Sequence, residues 1–152
     1  MRRNASDNKY LHKDFHISMN ILLNYIYENF GGNNLIQYLR NFTKAYHKPL
    51  HEQMKKGNLK VLEEYLNRIY EKEEWSVTIK CTDNFLEMEQ KSCPGISYIR
   101  SKGVIPCPLY RETYNTVYNT LCEETPFEYV LVFFDEETGS CKQLFKRKEI
   151  IS

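Results

Sequence analysis

The spacing of apolar residues first changes at Trp75, and that change limits the possible folds more than any other feature. Upstream of it the period is helical. Phe15, Met19, Leu22, Ile26 and Phe30 step by four, three, four and four, which places them on one face of a helix over residues 10–30. Gly31-Gly32 supplies a left-handed stop, and Asn33 or Asn34 a cap for the next helix. That helix carries Leu35, Leu39, Phe42 and Tyr46 at the same spacing until Pro49 kinks or interrupts it. Gly57-Asn58 repeats the stop and cap, and a third helix follows with Leu59, Leu62, Leu66 and Ile69 inward.

From Trp75 the period is two. Trp75, Val77, Ile79 and Cys81 alternate with Ser76, Thr78 and Lys80, the pattern of a half-buried strand. Thr82-Asp83-Asn84 is turn chemistry that returns residues 85–89 antiparallel as a hairpin. Two short helices are expected next, 94 to about 102 and 108 to about 123. Strands 127–134 and 141–145 then join through Glu136-Glu137-Thr138-Gly139 as a second hairpin. The expected fold is α+β, with N-terminal helices packed on an antiparallel sheet of about four strands and two shorter helices between the hairpins.

The 152 residues suit one domain, residues 9–152, after a polar, frayed stretch at 1–8. Twenty-one basic against 20 acidic residues leave a formal charge of +1, which argues against a dedicated nucleic-acid binder. No apolar run of membrane-spanning length occurs, and no hydrophobic region follows the N-terminal arginines, so a soluble, cytoplasmic protein is expected. Five cysteines, an odd number in such a chain, fit reduced thiols. Tyrosine is over-represented, at 12 against 6 glycines; that many apolar rings with polar tips suit either an ordinary core or the walls of a pocket.

The most informative local motif is a repeated dipeptide, Cys93-Pro94 and Cys107-Pro108, each at an expected helix start. Proline is favoured at the first helical position and drives the preceding residue into extended conformation, so both cysteines are expected at N-caps. Unpaired N–H groups there lower a thiol's pKa and attract carboxylates, so either cysteine could be a nucleophile or its helix could hold an acidic ligand; a buried, inert thiol is the alternative. Tyr110, Tyr114 and Tyr118 share one face of the helix after Cys107, with Glu112 on another side. They either line a pocket or pack on the sheet.

The histidines form two i,i+4 pairs, His12/His16 and His47/His51. Such a pair on a helix can bind a metal, although the glutamate of the HExxH motif is absent and Pro49 disturbs the second pair. Residues 12, 16, 19 and 23 lie along one face, with Met19 and Leu23 continuing it inward, so His16 is expected to be partly buried near a cavity. No phosphate-loop, dinucleotide-binding, serine-elbow or paired CxxC motif is present.

Taken together, YLHKDFH, SCPGISYIRSKG, PCPLYRETYNTVYNTLCEETPF and DEETGSCKQLFKRK resemble the L-2-amino-thiazoline-4-carboxylic acid hydrolase-like family, which is related to small-molecule-binding domains of the vinyl-reductase type. The resemblance covers most of the chain. It implies an α+β domain with a ligand cavity between helices and sheet, and hydrolytic opening of a thiazoline ring to N-carbamoyl-cysteine, chemistry on a cyclic amidine of the C–N hydrolase class. A cysteine expected after the proline-rich segment corresponds to Cys107 or is replaced by Tyr110 or Arg111. On that basis Cys107 would be nucleophile or carboxylate anchor, His16 the base and Glu112 a supporting acid, with Cys93, Tyr110, Tyr114, Tyr118 and His12 around the ligand. The expected partner is a small-molecule ligand or substrate, with a homodimer possible and neither nucleic acid nor membrane; cofactor and metal are unassigned. A non-catalytic sensor or carrier of an apolar or acidic ligand, and a metal-dependent enzyme using His12 and His16, are the competing readings.

Overall fold

The computed structural model describes residues 8–149, with side chains from residue 13 onward. Four helices come first, α1 (Asn8–Phe30), α2 (Gly32–Tyr46), α3 (Lys48–Lys55) and α4 (Lys60–Glu73). They are followed by β1 (Thr78–Cys81), β2 (Phe85–Gln90), α5 (Pro94–Ser101), α6 (Glu112–Cys122), β3 (Phe127–Phe134) and β4 (Cys141–Arg147). The strands form one antiparallel sheet in the order β1-β2-β4-β3. The fold is α+β, with the helices gathered on one side of the sheet.

Alternation along the strands decides which side that is. Leu86, Met88 and Gln90 of β2 and Cys141, Gln143 and Phe145 of β4 are buried, and their neighbours turn outward. Leu86 pairs with Phe145 and Met88 with Gln143, so the inward residues of adjacent strands stand side by side under α4 and α6. Buried Gln143 is satisfied by the Tyr129 hydroxyl, which donates to its Oε1 at 2.8 Å.

Several boundaries depart from the expectation, each for a local reason. α1 forms, but its buried face runs through Asn20 and Leu23, while Phe15, Leu22 and Phe30 remain largely exposed. α2 begins at Gly32 with Gly31 as its cap residue, so Asn33 and Asn34 lie inside the helix; the Asn34 amide donates to the Phe30 carbonyl instead of capping. The break before α3 falls at His47, and Pro49 sits in the first turn of α3, where its missing N–H has no helical partner to lose. The alternating exposure of residues 75–81 is present, but hydrogen-bonded pairing starts only at Thr78. Trp75 instead closes the end of α4, its N–H donating to the Tyr70 carbonyl and its indole N–H to the Ser92 carbonyl at 2.8 Å.

The largest departure concerns the second Cys-Pro pair. α6 begins at Glu112, capped by Arg111, and not at Pro108. Residues 107–111 form successive tight turns, with Tyr110 N–H donating to the Cys107 carbonyl and Glu112 N–H to that of Leu109. Asn20, fully buried on α1, takes the Cys107 N–H at 2.8 Å and donates to the Ile105 carbonyl at 3.0 Å, clamping this segment to α1 before the helix can start. Among the described residues no helix is long and apolar enough to cross a membrane.

Candidate functional site

A cavity of about 210 Å³ lies where α1, α2, α4, α5, α6 and the segment leading into α6 meet. Its walls are mostly apolar and aromatic, with one group of polar side chains beside the start of α5. Those are His16, Glu73, Cys93, Tyr110 and Tyr114.

Cys93 occupies the N-cap of α5 in extended conformation, with Pro94 in the first turn, as the dipeptide predicts. Its N–H donates to the Thr138 carbonyl, tying the helix start to the β3–β4 loop. Its sulfur receives the Tyr114 hydroxyl at 3.0 Å and the Ile96 N–H at 3.5 Å. Burial pushes the Cys93 thiol up, opposed by hydrogen bonds from the Tyr114 hydroxyl, the Ile96 and Gly95 N–H groups and the Tyr110 hydroxyl. Burial, with Cys93 next to them, holds the phenols of Tyr110 and Tyr114 well above their ordinary range, so both remain donors.

In the same cavity, His16 Nε2 of α1 lies 2.7 Å from Glu73 Oε1 of α4, with side chains only 14% and 4% exposed. A carboxylate accepts, so Nε2 carries the hydrogen, and Nδ1 is the nitrogen turned to Gly95. A Cβ built on Gly95 would stand 3.0 Å from His16 Nδ1 and overlap the Tyr110 hydroxyl. The thiol, its phenol donors and the His–carboxylate pair thus converge around the first turn of α5.

Of the residues singled out from sequence, His16, Cys93, Tyr110, Tyr114 and Tyr118 line this cavity. Tyr118 forms the aromatic floor, with its ring against Tyr129 and Phe145 at centroid distances of 5.4 and 5.3 Å. Cys107 and Glu112 are not among the lining residues. Cys107 packs with Leu23, Leu35, Leu39 and Val117, and burial raises its thiol against the opposing Leu109 N–H. Glu112 turns back along α6 to accept from Thr116 Oγ1 at 2.5 Å. The His12 side chain lies outside the described residues. Among the described residues no group of three or more His, Cys, Asp or Glu could hold a metal ion.

Sequence reading missed Glu73, Gln90 and Tyr70. Glu73 continues the buried stripe Leu62, Leu66, Tyr70 of α4, and Gln90 continues the inward series Leu86, Met88 of β2. A polar residue at an inward position was the available signal for both.

At the far end of the cavity the His47 ring is enclosed by Phe42, Tyr46 and Tyr65, with the Tyr65 hydroxyl 3.4 Å from Nδ1. Burial lowers the His47 pKa. The unfolded chain therefore binds this proton first, and the stability from keeping His47 neutral, full above about pH 6.5, is lost as pH falls below it toward the folded-state value. Thermal midpoints measured from pH 7.5 to 5.5 are expected to fall less steeply for His47→Gln than for the wild type; equal slopes would contradict this.

Compared with protein-family models, curated proteins and solved structures, the chain matches none.

Proposed function

We propose that the protein is a thiol-dependent hydrolase that opens a cyclic amidine such as a 2-aminothiazoline, with Cys93 in the nucleophile's place and not Cys107. The observation that carries this reading is the placement of the Cys93 sulfur, under the Tyr114 hydroxyl, in one cavity with the His16–Glu73 pair. Nucleophile, base and a group orienting the base are the parts that activated-thiol chemistry requires.

The thiol is buried and held protonated, so its proton must leave when substrate is bound. His16 Nδ1 takes it while Glu73 retains the Nε2 hydrogen bond and stabilises the imidazolium. The Cys93 sulfur adds to the ring carbon between nitrogen and sulfur. The ring carbon–sulfur bond then breaks, and the departing sulfur takes the proton from His16. Water, deprotonated by His16, adds to the same carbon; the Cys93 sulfur leaves and recovers its proton. The net change is one water consumed and one N-carbamoyl aminothiol released; the bond cut is carbon–sulfur, in place of the carbon–nitrogen bond expected from the resemblance, and both carbon–nitrogen bonds of the urea stay intact. The five free thiols support a reducing compartment such as the cytoplasm.

A carrier or sensor is the second reading, favoured by the aromatic lining and by the raised thiol. Incubation with 2-aminothiazoline-4-carboxylate separates the two. Hydrolysis releases a new small-molecule thiol, titratable with a disulfide reagent, and a Cys93 adduct appears by peptide mass mapping at short times. Saturable binding without thiol release would establish the carrier and sink the enzyme.

A further inference from the structure

The hydrogen bonds behind Cys93 form a chain whose direction is set at one end. The Gly139 carbonyl oxygen can only accept, so the group of Gln90 that lies 2.9 Å from it is the side-chain NH₂. The second hydrogen of that NH₂ then meets the Tyr114 oxygen at 3.1 Å, and the amide oxygen takes the Tyr70 hydroxyl at 2.5 Å. Because the Tyr114 oxygen is receiving a hydrogen from Gln90, its own hydrogen goes to the Cys93 sulfur. Gln90 and Tyr70 are 4% and 6% exposed, so water does not compete for these bonds. From Tyr70 through Gln90 to Tyr114 each group donates to the next and the last to the sulfur, while the other Gln90 hydrogen stays on Gly139; this order favours negative charge at the sulfur, and each bond polarises the next.

We propose that Gln90 is a positioning residue for Cys93: by donating to the Tyr114 oxygen it keeps the Tyr114 hydroxyl hydrogen on the sulfur, and so makes Cys93 reactive toward small uncharged electrophiles. This rests on Cys93 being the cavity's reactive thiol, as proposed above. Glutamate at position 90 has nearly the same shape but offers only acceptors when ionised. It would draw the Tyr114 hydrogen to itself and leave the sulfur without that donor.

Alkylation of the intact protein by iodoacetamide between pH 6 and 10, mapped cysteine by cysteine, tests this without any substrate. In that step the Cys93 thiolate displaces iodide: a sulfur–carbon bond forms, the carbon–iodine bond breaks with its electron pair going to iodide, and the thiol proton goes to solvent. Gln90→Glu is expected to slow Cys93 alkylation at neutral pH about tenfold, the scale of one hydrogen bond to a charged group, and to move its pH midpoint upward. Cys81, on the distant edge strand β1, should react at an unchanged rate in the same sample. Tyr114→Phe should slow Cys93 similarly, and the double variant should be no slower than Tyr114→Phe alone, because Gln90 acts through Tyr114. Should the glutamate fail to fold, Gln90→Met, of similar volume, removes the donor without adding an oxygen acceptor; it is expected to slow Cys93 less than Tyr114→Phe does, and faster alkylation than in the wild type would overturn the proposal. Loosened packing alone would expose Cys93 and speed its alkylation. That result, or additive slowing in the double variant, would overturn the proposal. Absence of thiazoline hydrolysis would sink the hydrolase reading while leaving this result standing, and the reverse also holds.

Discussion

Cys93→Ala is expected to lower turnover of a 2-aminothiazoline by at least about 10³-fold, a modest figure for removal of a nucleophile, while Cys107→Ala leaves turnover per folded molecule within about twofold. The two cysteines share a dipeptide and both are nearly inaccessible, at 2% and 3% exposed. What separates them is their surroundings. Cys93 caps α5 and its sulfur receives the Ile96 N–H and the Tyr114 hydroxyl inside the cavity that holds His16. Cys107 precedes α6 by several residues of turn and packs among Leu23, Leu35, Leu39 and Val117, with one backbone donor opposing its burial. A thiolate at Cys107 would be formed in an apolar cluster, where charge is costly. Initial rates of thiol release from the two variants, normalised to folded protein by circular dichroism, decide the matter. Equal loss in both would remove Cys93 from the nucleophile's place.

The contrast between those cysteines also marks how far the sequence could be read. Periodicity located the four strands and five of the six helices to within a few residues, because burial of one face is a local and repeated demand along Leu35, Leu39 and Thr43 or Leu86, Met88 and Gln90; the short α3 was legible only as the interruption at Pro49. The cap at Cys93 was legible for the same reason, since proline acts on its immediate neighbour. At Cys107 the identical local signal was overridden by Asn20, 87 residues away, whose side chain holds the Cys107 N–H. Glu73 and His16 are 57 residues apart, and no spacing rule connects α1 to α4. The Tyr110, Tyr114 and Tyr118 stripe was visible; which of its two readings applied depended on whether other elements left a void beside it. They do, and Tyr118 serves both purposes, lining the cavity and packing on Phe145.

Gly95→Val is expected to abolish ligand binding in the cavity and to cost about 1–3 kcal/mol of stability, the range for overpacking a filled site. Gly95 is helical, in the first turn of α5, so the reason for glycine here is space and not backbone freedom. Even the first carbon of a side chain would overlap the Tyr110 hydroxyl and stand 3.0 and 3.3 Å from His16 Nδ1 and Cε1. Tyr110 is nearly enclosed, at 8% exposed, and packs with Cys93, Ile96 and Ile99, so its ring has little room to retreat. A valine would therefore displace both His16 and Tyr110, which line the cavity together with the thiol. Isothermal titration with the thiazoline, beside urea denaturation of the same samples, separates lost binding from lost folding. The steric cause has its own check in a double-mutant cycle. Tyr110→Phe removes the oxygen that the new carbon meets first, so Gly95→Ala should be better tolerated in the Tyr110→Phe background than in the wild type. Strictly additive stabilities would show that the hydroxyl is not what requires glycine at position 95.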